Sequence, residues 1–178
     1  MQGWRQVLHQ VRQSNPVAAG DRVLDLRPAW RARAFREQAG RPEPIVRAAA
    51  FRSVLMNDRL HFYQGDRLCG SHHGWFSESL PHGWSPEEYR TLVCEHKERG
   101  QRNFRAGWDH TLADYPTLLT IGVSGYLARA RCALRRHRAP DAQAVLEGMV
   151  QALEAFRAWM RRWSAAAAER GEAAMAAA

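Results

Sequence analysis

Apolar residues recur at helical spacing over most of this 178-residue chain, and the period breaks in only one place. Trp4, Val7, Leu8 and Val11 share one face of a short helix over 4–13, which Asn15-Pro16 ends. Asp21 to Gln38 reads as helix, disturbed at Pro28. Gly40 to Pro44 is a turn, and Ile45 to Met56 is a helix with Val46, Ala49, Ala50 and Val54 inward. The period then shortens. Leu60 to Tyr63 alternates, Gln64-Gly65-Asp66 turns, and Arg67 to Gly70 returns as a second strand. His72 to Gly83 reads as loop.

Helical spacing resumes at Ser85-Pro86-Glu87-Glu88. Serine is placed to cap, proline takes the first helical position, and Glu88 completes a capping box. That helix runs to about Arg99. A polar, aromatic loop over 100–113 follows, and Asp114 is placed to cap a helix from Tyr115 to about His137. Tyr115, Leu118, Leu119, Gly122 and Tyr126 form its buried face, with Gly122 and Gly125 as small residues that let another helix approach. Ala139-Pro140-Asp141 restarts the chain. Val145, Met149, Ala152, Phe156, Trp159 and Trp163 make the inner face of a long last helix. Residues 165–178 are nearly all alanine, with little to bury, and should fray. The fold class is therefore mostly α with one small strand-turn-strand unit, in one piece of structure with no internal repeat. Because the helical pattern stops without a cap, the chain reads as the start of a larger protein.

Composition narrows the function classes. Hydrophobic residues are 46% of the chain and include seven tryptophans, enough for a core. Mean hydropathy is −0.52 and no long apolar run occurs, which excludes a membrane span and a secretory signal. Net charge is +8, but the basic residues are scattered apart from Arg129–Arg138 and Arg157–Arg162. No helix-turn-helix, zinc-finger or RNA-binding signature accompanies them, so solvated helix faces explain the charge better than a nucleic-acid partner. Three widely spaced cysteines, Cys69, Cys94 and Cys132, suit a reducing cytoplasm.

Candidate chemistry centres on Trp108-Asp109-His110, in the loop ahead of the Tyr115 helix. A histidine beside a carboxylate can bind a hydroxyl or carboxyl group, or move a proton, near neutral pH. Its competitor is a histidine satisfied by neighbours at a helix entry. Cys69, His72, His73, His82, Cys94 and His96 are numerous, but their C-x-x-H and C-x-H pairs lack a matching partner pair, so no metal site is expected. No cysteine has a visible activating arrangement, and inert thiols are the default.

Taken in order, several segments resemble the N-terminal portion of the glycyl radical enzymes, the pyruvate formate-lyase-like family. Residues 44–55 (PIVRAAAFRSVL) and 66–71 (DRLCGS) are similar to the family's early helix and its D-x-L-I-V-G strand. Residues 109–115 (DHTLADY) resemble its G-H-x-x-x-D-Y segment, and 119–125 (LTIGVSG) the following L-x-x-G-x-x-G. The stretch from Leu153-Glu154-Ala155 to Trp163 resembles the long helix after it.

The resemblance implies the helical N-terminal fragment of a ten-stranded α/β barrel. It implies formate C-acetyltransferase or diol dehydratase-like radical chemistry, in a cytoplasmic homodimer acting on a small molecule. It also implies a glycyl radical on the missing C-terminal part, installed by a radical-SAM activase, with no cofactor bound directly here. His110 maps onto a substrate hydrogen-bonding histidine. Asp109 stands where the family usually has glycine. Trp108 would be an apolar wall and Arg105 a partner for an acidic substrate group. The family's G-C-x-E cysteine loop and radical-glycine loop have no match. Val123-Ser124-Gly125-Tyr126 imitates the second by coincidence, so the chain should not be catalytically complete alone. A self-sufficient basic helical binding protein, for nucleic acid or protein, is the alternative.

Overall fold

The computed structural model describes residues 24–57, 59–60, 62, 76–77, 79–99 and 114–171. The elements are β1 (Leu24–Asp25), α1 (Arg27–Glu37), α2 (Glu43–Met56), β2 (Phe76–Ser77), α3 (Pro86–Glu98), α4 (Tyr115–Arg136) and α5 (Pro140–Glu169). The described chain is mostly helical, as the periodicity predicts. The expected 4–13 helix and the strand-turn-strand unit over 60–70 fall outside the described residues, apart from Leu60 and Phe62, which are in no strand.

Two expectations need correction. The expected helix over 21–38 opens as strand: Leu24–Asp25 pairs antiparallel with Phe76–Ser77, inside the stretch expected to be loop. Asp25 then initiates α1 from the strand. Its carboxylate accepts from the Arg27 backbone N–H at 3.1 Å and from Arg27 Nε and Nη2 at 2.9 and 2.8 Å. A carboxylate there satisfies orphan donors and complements the positive end of the helix dipole, so the helix starts at Arg27 rather than six residues earlier.

The remaining starts follow local chemistry. Ser85 Oγ accepts from the Glu88 N–H at 3.0 Å, and Pro86 occupies the first turn of α3. Pro44 and the Glu43–Arg47 pair (2.8 Å) begin α2. Between α4 and α5, Gln143 Nε2 donates to the carbonyls of Leu134 (2.8 Å) and His137, closing the end of one helix with a side chain of the next.

The helices pack as a row in the order α3–α1–α2–α5–α4, and among the described residues each makes its main contacts only with its neighbours in that row. α1 and α2 form an antiparallel hairpin, tied where Ser53 Oγ donates to the Trp30 carbonyl at 3.1 Å. α2 and α5 run parallel. Pro44 at the start of α2 lies against Gly148, and Arg162 Nη1 donates to the carbonyls of Leu55 and Met56 (2.9 and 3.0 Å) at its end. α3 lies on the outer side of α1. Leu92 packs on Ala29 and Ala32, Trp84 meets Trp30 with centroids 4.5 Å apart, and Tyr89 OH donates to the Asp25 carbonyl at 3.1 Å.

Alanine supplies half of the fully buried apolar residues in these seams. Alanine lets helices approach closely but removes little apolar area from water, so the row is tightly joined and thinly cored. Arg31 is also buried, at 7% exposure. Burial first, and the Arg27 charge second, lower its pKa to about 10 against the opposing pull of Asp25.

Candidate functional site

The four expected site residues, Arg105, Trp108, Asp109 and His110, lie in the 100–113 segment, outside the described residues. The described structure begins again at Asp114, four residues after His110, and shows how that end of α4 is built.

Asp114 caps α4 as its position predicts, accepting from the Thr117 N–H at 3.2 Å. Its carboxyl is held below the ordinary aspartate value, chiefly by Thr117, with help from the Tyr126 hydroxyl and the Arg129 charge. Within α4 the helix breaks at Gly122, whose φ of 61° and ψ of −177° are open to glycine and closed to L-residues.

Gly125 serves the same bend. A Cβ there would stand 2.5 Å from Ile121 Cβ and 2.8 Å from Ile121 Cγ1, so the break presses Ile121 onto it. The two glycines therefore build a kink, and the expectation that they admit a neighbouring helix is corrected. The expected buried face is corrected too. Leu119 is 84% exposed and Tyr115 is 59% exposed.

On α5 the inner face is rotated from the expected one. Ala144, Gly148 and Ala155 are buried, while Val145 and Met149, each one position later, remain about half exposed. One residue is about 100° of helix rotation. The small residues win because Gly148 allows the backbone of Pro44 to approach where a Cβ would sit 2.6 Å from its oxygen. Farther along, the expected face holds. Trp163 is buried, packs edge-on against Trp159 and Phe62, and Arg170 covers the Phe62 ring at 4.6 Å. The helix continues through the alanine run to Glu169, with Ala167 fully buried.

A shallow cavity of about 350 Å³ opens at the α4–α5 elbow, lined by His137, Asp141, Ala142, Val145 and Leu146. Spacing did not reveal it, because it forms only when the Gln143 bonds fold α5 back on α4. Among the described residues no three His, Cys, Asp or Glu side chains converge as a metal site, and no helix is long and apolar enough to cross a membrane. Cys94 is an exposed thiol on α3 and Cys132 a half-buried one within α4.

Comparison with models of known families, with curated proteins and with solved structures finds no match to this chain.

Proposed function

We propose that this chain is the N-terminal portion of a glycyl radical enzyme of the pyruvate formate-lyase-like kind, and that it acts in the cytoplasm. It supplies helical wall and one side of a small-molecule pocket. The ordered motifs from Pro44 to Trp163 suggest the family. The observation that carries the reading is the open row of helices. It leaves Leu119, Val145 and Met149 on faces that no described element covers, as expected of a wall built to be packed from one side.

The described residues do not fit the radical machinery itself. Gly125 lies inside a helix, crowded by Ile121, and Cys94 and Cys132 sit within helices rather than on loops. No radical step is assigned to this chain. Its own part would be substrate binding by His110, with Asp109 orienting the imidazole or touching substrate. Trp108 would exclude water and Arg105 would pair with an acidic group. The thiyl and glycyl positions would come from a partner or continuing polypeptide, in a homodimer served by a radical-SAM activase.

The first test is the nucleotide sequence past the Ala178 codon. A cysteine loop and a glycyl loop there, in frame or in a shifted frame, support the proposal, and the absence of both from the neighbouring DNA refutes it. With that region co-expressed anaerobically, His110→Ala should abolish turnover while leaving assembly intact.

A basic binding protein is the second reading. It is favoured by the exposed Arg129, Arg135, Arg136, Arg138 and Arg161 on the α4–α5 hairpin. It requires nucleic-acid affinity that falls steeply with salt. The fragment reading requires none that is specific.

A further inference from the structure

α5 buries Ala144, Gly148 and Ala155, and Gly148 lies against Pro44 of α2. Val145, Met149 and Phe156 each follow one of these by a single position, so they share a second face about 100° around the helix. That face is covered at one end. Phe62 sits edge-on against Trp163 there. At the other end Val145 and Met149 stand half exposed beside the elbow cavity of about 350 Å³, which Val145 helps to line.

The open stretch is small. Val145, Met149 and Met160 are a third to a half exposed, whereas a stable interface with a second copy takes about 20–30 residues a side. One short amphipathic helix matches it. The expected helix over 4–13 carries Trp4, Val7, Leu8 and Val11 along about 10 Å of its axis, the same length as Val145 to Ala152. Charge agrees. Residues 1–20 hold Arg5 and Arg12 and no acid, while residues 140–156 hold Asp141, Glu147 and Glu154 and no base. Glu147 pairs with Arg41 and Glu154 with Arg131, but Asp141 has no ion pair among the described residues. The chain also reaches. Leu24 stands at the start of α1, at the end of the row where Ser53 meets Trp30, and the open face stands two helices across and nearer the other end, about 30 Å away. The thirteen residues from Val11 to Leu24 span up to about 45 Å.

We propose that residues 4–13 dock as a short helix on this face of α5, with Trp4 in the elbow cavity, Arg5 beside Asp141, and Val7, Leu8 and Val11 over Val145 and Met149. The inference goes beyond the proposed function and stands whether or not that assignment does. The cover rests on a few contacts, so it lifts without unfolding the row, and any partner that packs on Val145 and Met149 must displace it.

The test is a pair of spin labels on the full-length chain, at Gln10→Cys and Arg138→Cys, with Cys69, Cys94 and Cys132 replaced by alanine. Docking should give one narrow distance, about 20 Å between Cα atoms, that tenfold dilution with unlabelled protein leaves unchanged. Val7→Glu with Leu8→Glu should broaden it, and so should Val145→Glu with Met149→Glu. Asp141→Arg should weaken the narrow peak, and adding Arg5→Asp should restore it. If circular dichroism shows that the α5 pair fails to fold, Val7→Glu with Leu8→Glu carries the test, because it alters no described helix. A broad distribution in the unmutated chain overturns the proposal. So does a narrow peak that Val7→Glu with Leu8→Glu leaves in place, and so does a peak lost on dilution, which would put a second copy on the face.

Discussion

Replacing Gly148 with alanine should destabilise the protein, although it adds a good helix former to the interior of α5. Intrinsic propensity favours the change by about 1 kcal/mol. The seam opposes it. A Cβ at this position would stand 2.6 Å from the Pro44 carbonyl oxygen and 2.9 Å from the carbonyl carbon. These are backbone atoms in the first turn of α2, so no side-chain rotation relieves the collision, and the whole helix must shift. Overpacking of this kind costs about 1–3 kcal/mol. The upper part of that range applies, because the α2–α5 seam is the most extensive helix contact and moving Pro44 also disturbs Ala144 and the Arg41–Glu147 pair (3.6 Å). The net expectation is a loss of about 1–2 kcal/mol, equivalent to about 2–8 °C in Tm for a chain of this size. Urea unfolding followed at 222 nm reads it as a lower midpoint at unchanged slope. A midpoint that rises in Gly148→Ala would show that propensity decides at this site, and would refute the close seam.

Three other outcomes follow from the same structure. Arg162→Met should cost about 1.5–3 kcal/mol, because the Leu55 and Met56 carbonyls at the end of α2 lose a charged donor; amide exchange should rise after Met56, and an unchanged rate would count against this role. Arg36 holds the Glu95 carboxyl below its ordinary value through their hydrogen bond, so the pair stabilises above pH 4.5 and that contribution fades as pH falls through the lowered value. The pair is exposed to solvent, so Glu95→Gln should cost less than about 1 kcal/mol at pH 7 and nothing near pH 2, by urea midpoints. Val145→Glu with Met149→Glu should change stability by under about 0.5 kcal/mol, since both side chains are already half in water. It should abolish any concentration-dependent sedimentation of the isolated chain, and association that survives the double change would place the sticky surface elsewhere.

Helix starts were legible wherever a side chain adjoining the first turn does the work. Ser85 and Asp114 each accept from the N–H three residues on, as their spacing predicts. The start of α2 at Glu43-Pro44 lies within two residues of its expected place. What spacing could not supply is the effect of a distant backbone. Val145 and Met149 are the larger apolar residues and so define the stronger stripe, yet the seam runs through Ala144 and Gly148, because close approach to α2 outweighs side-chain size. Gly122 and Gly125 look alike in sequence, but one supplies a dihedral and the other supplies room for Ile121. The β1–β2 pair joins residues some fifty positions apart, and two-residue strands carry no period to detect. Of the candidate site, the described structure holds only the Asp114 flank, and His110 rests on its motif alone.

The row of helices has a consequence for how the chain is made. Its central seam joins α2, complete at Met56, to α5, which begins at Pro140. Roughly eighty residues must leave the ribosome between the two, which at about 5–20 residues per second is several seconds or more. Throughout that interval the face of α2 that will receive Ala144 and Gly148 has no mate. That open face can meet wrong partners before α5 is made, so slowing translation between Met56 and Pro140 should lower the soluble yield.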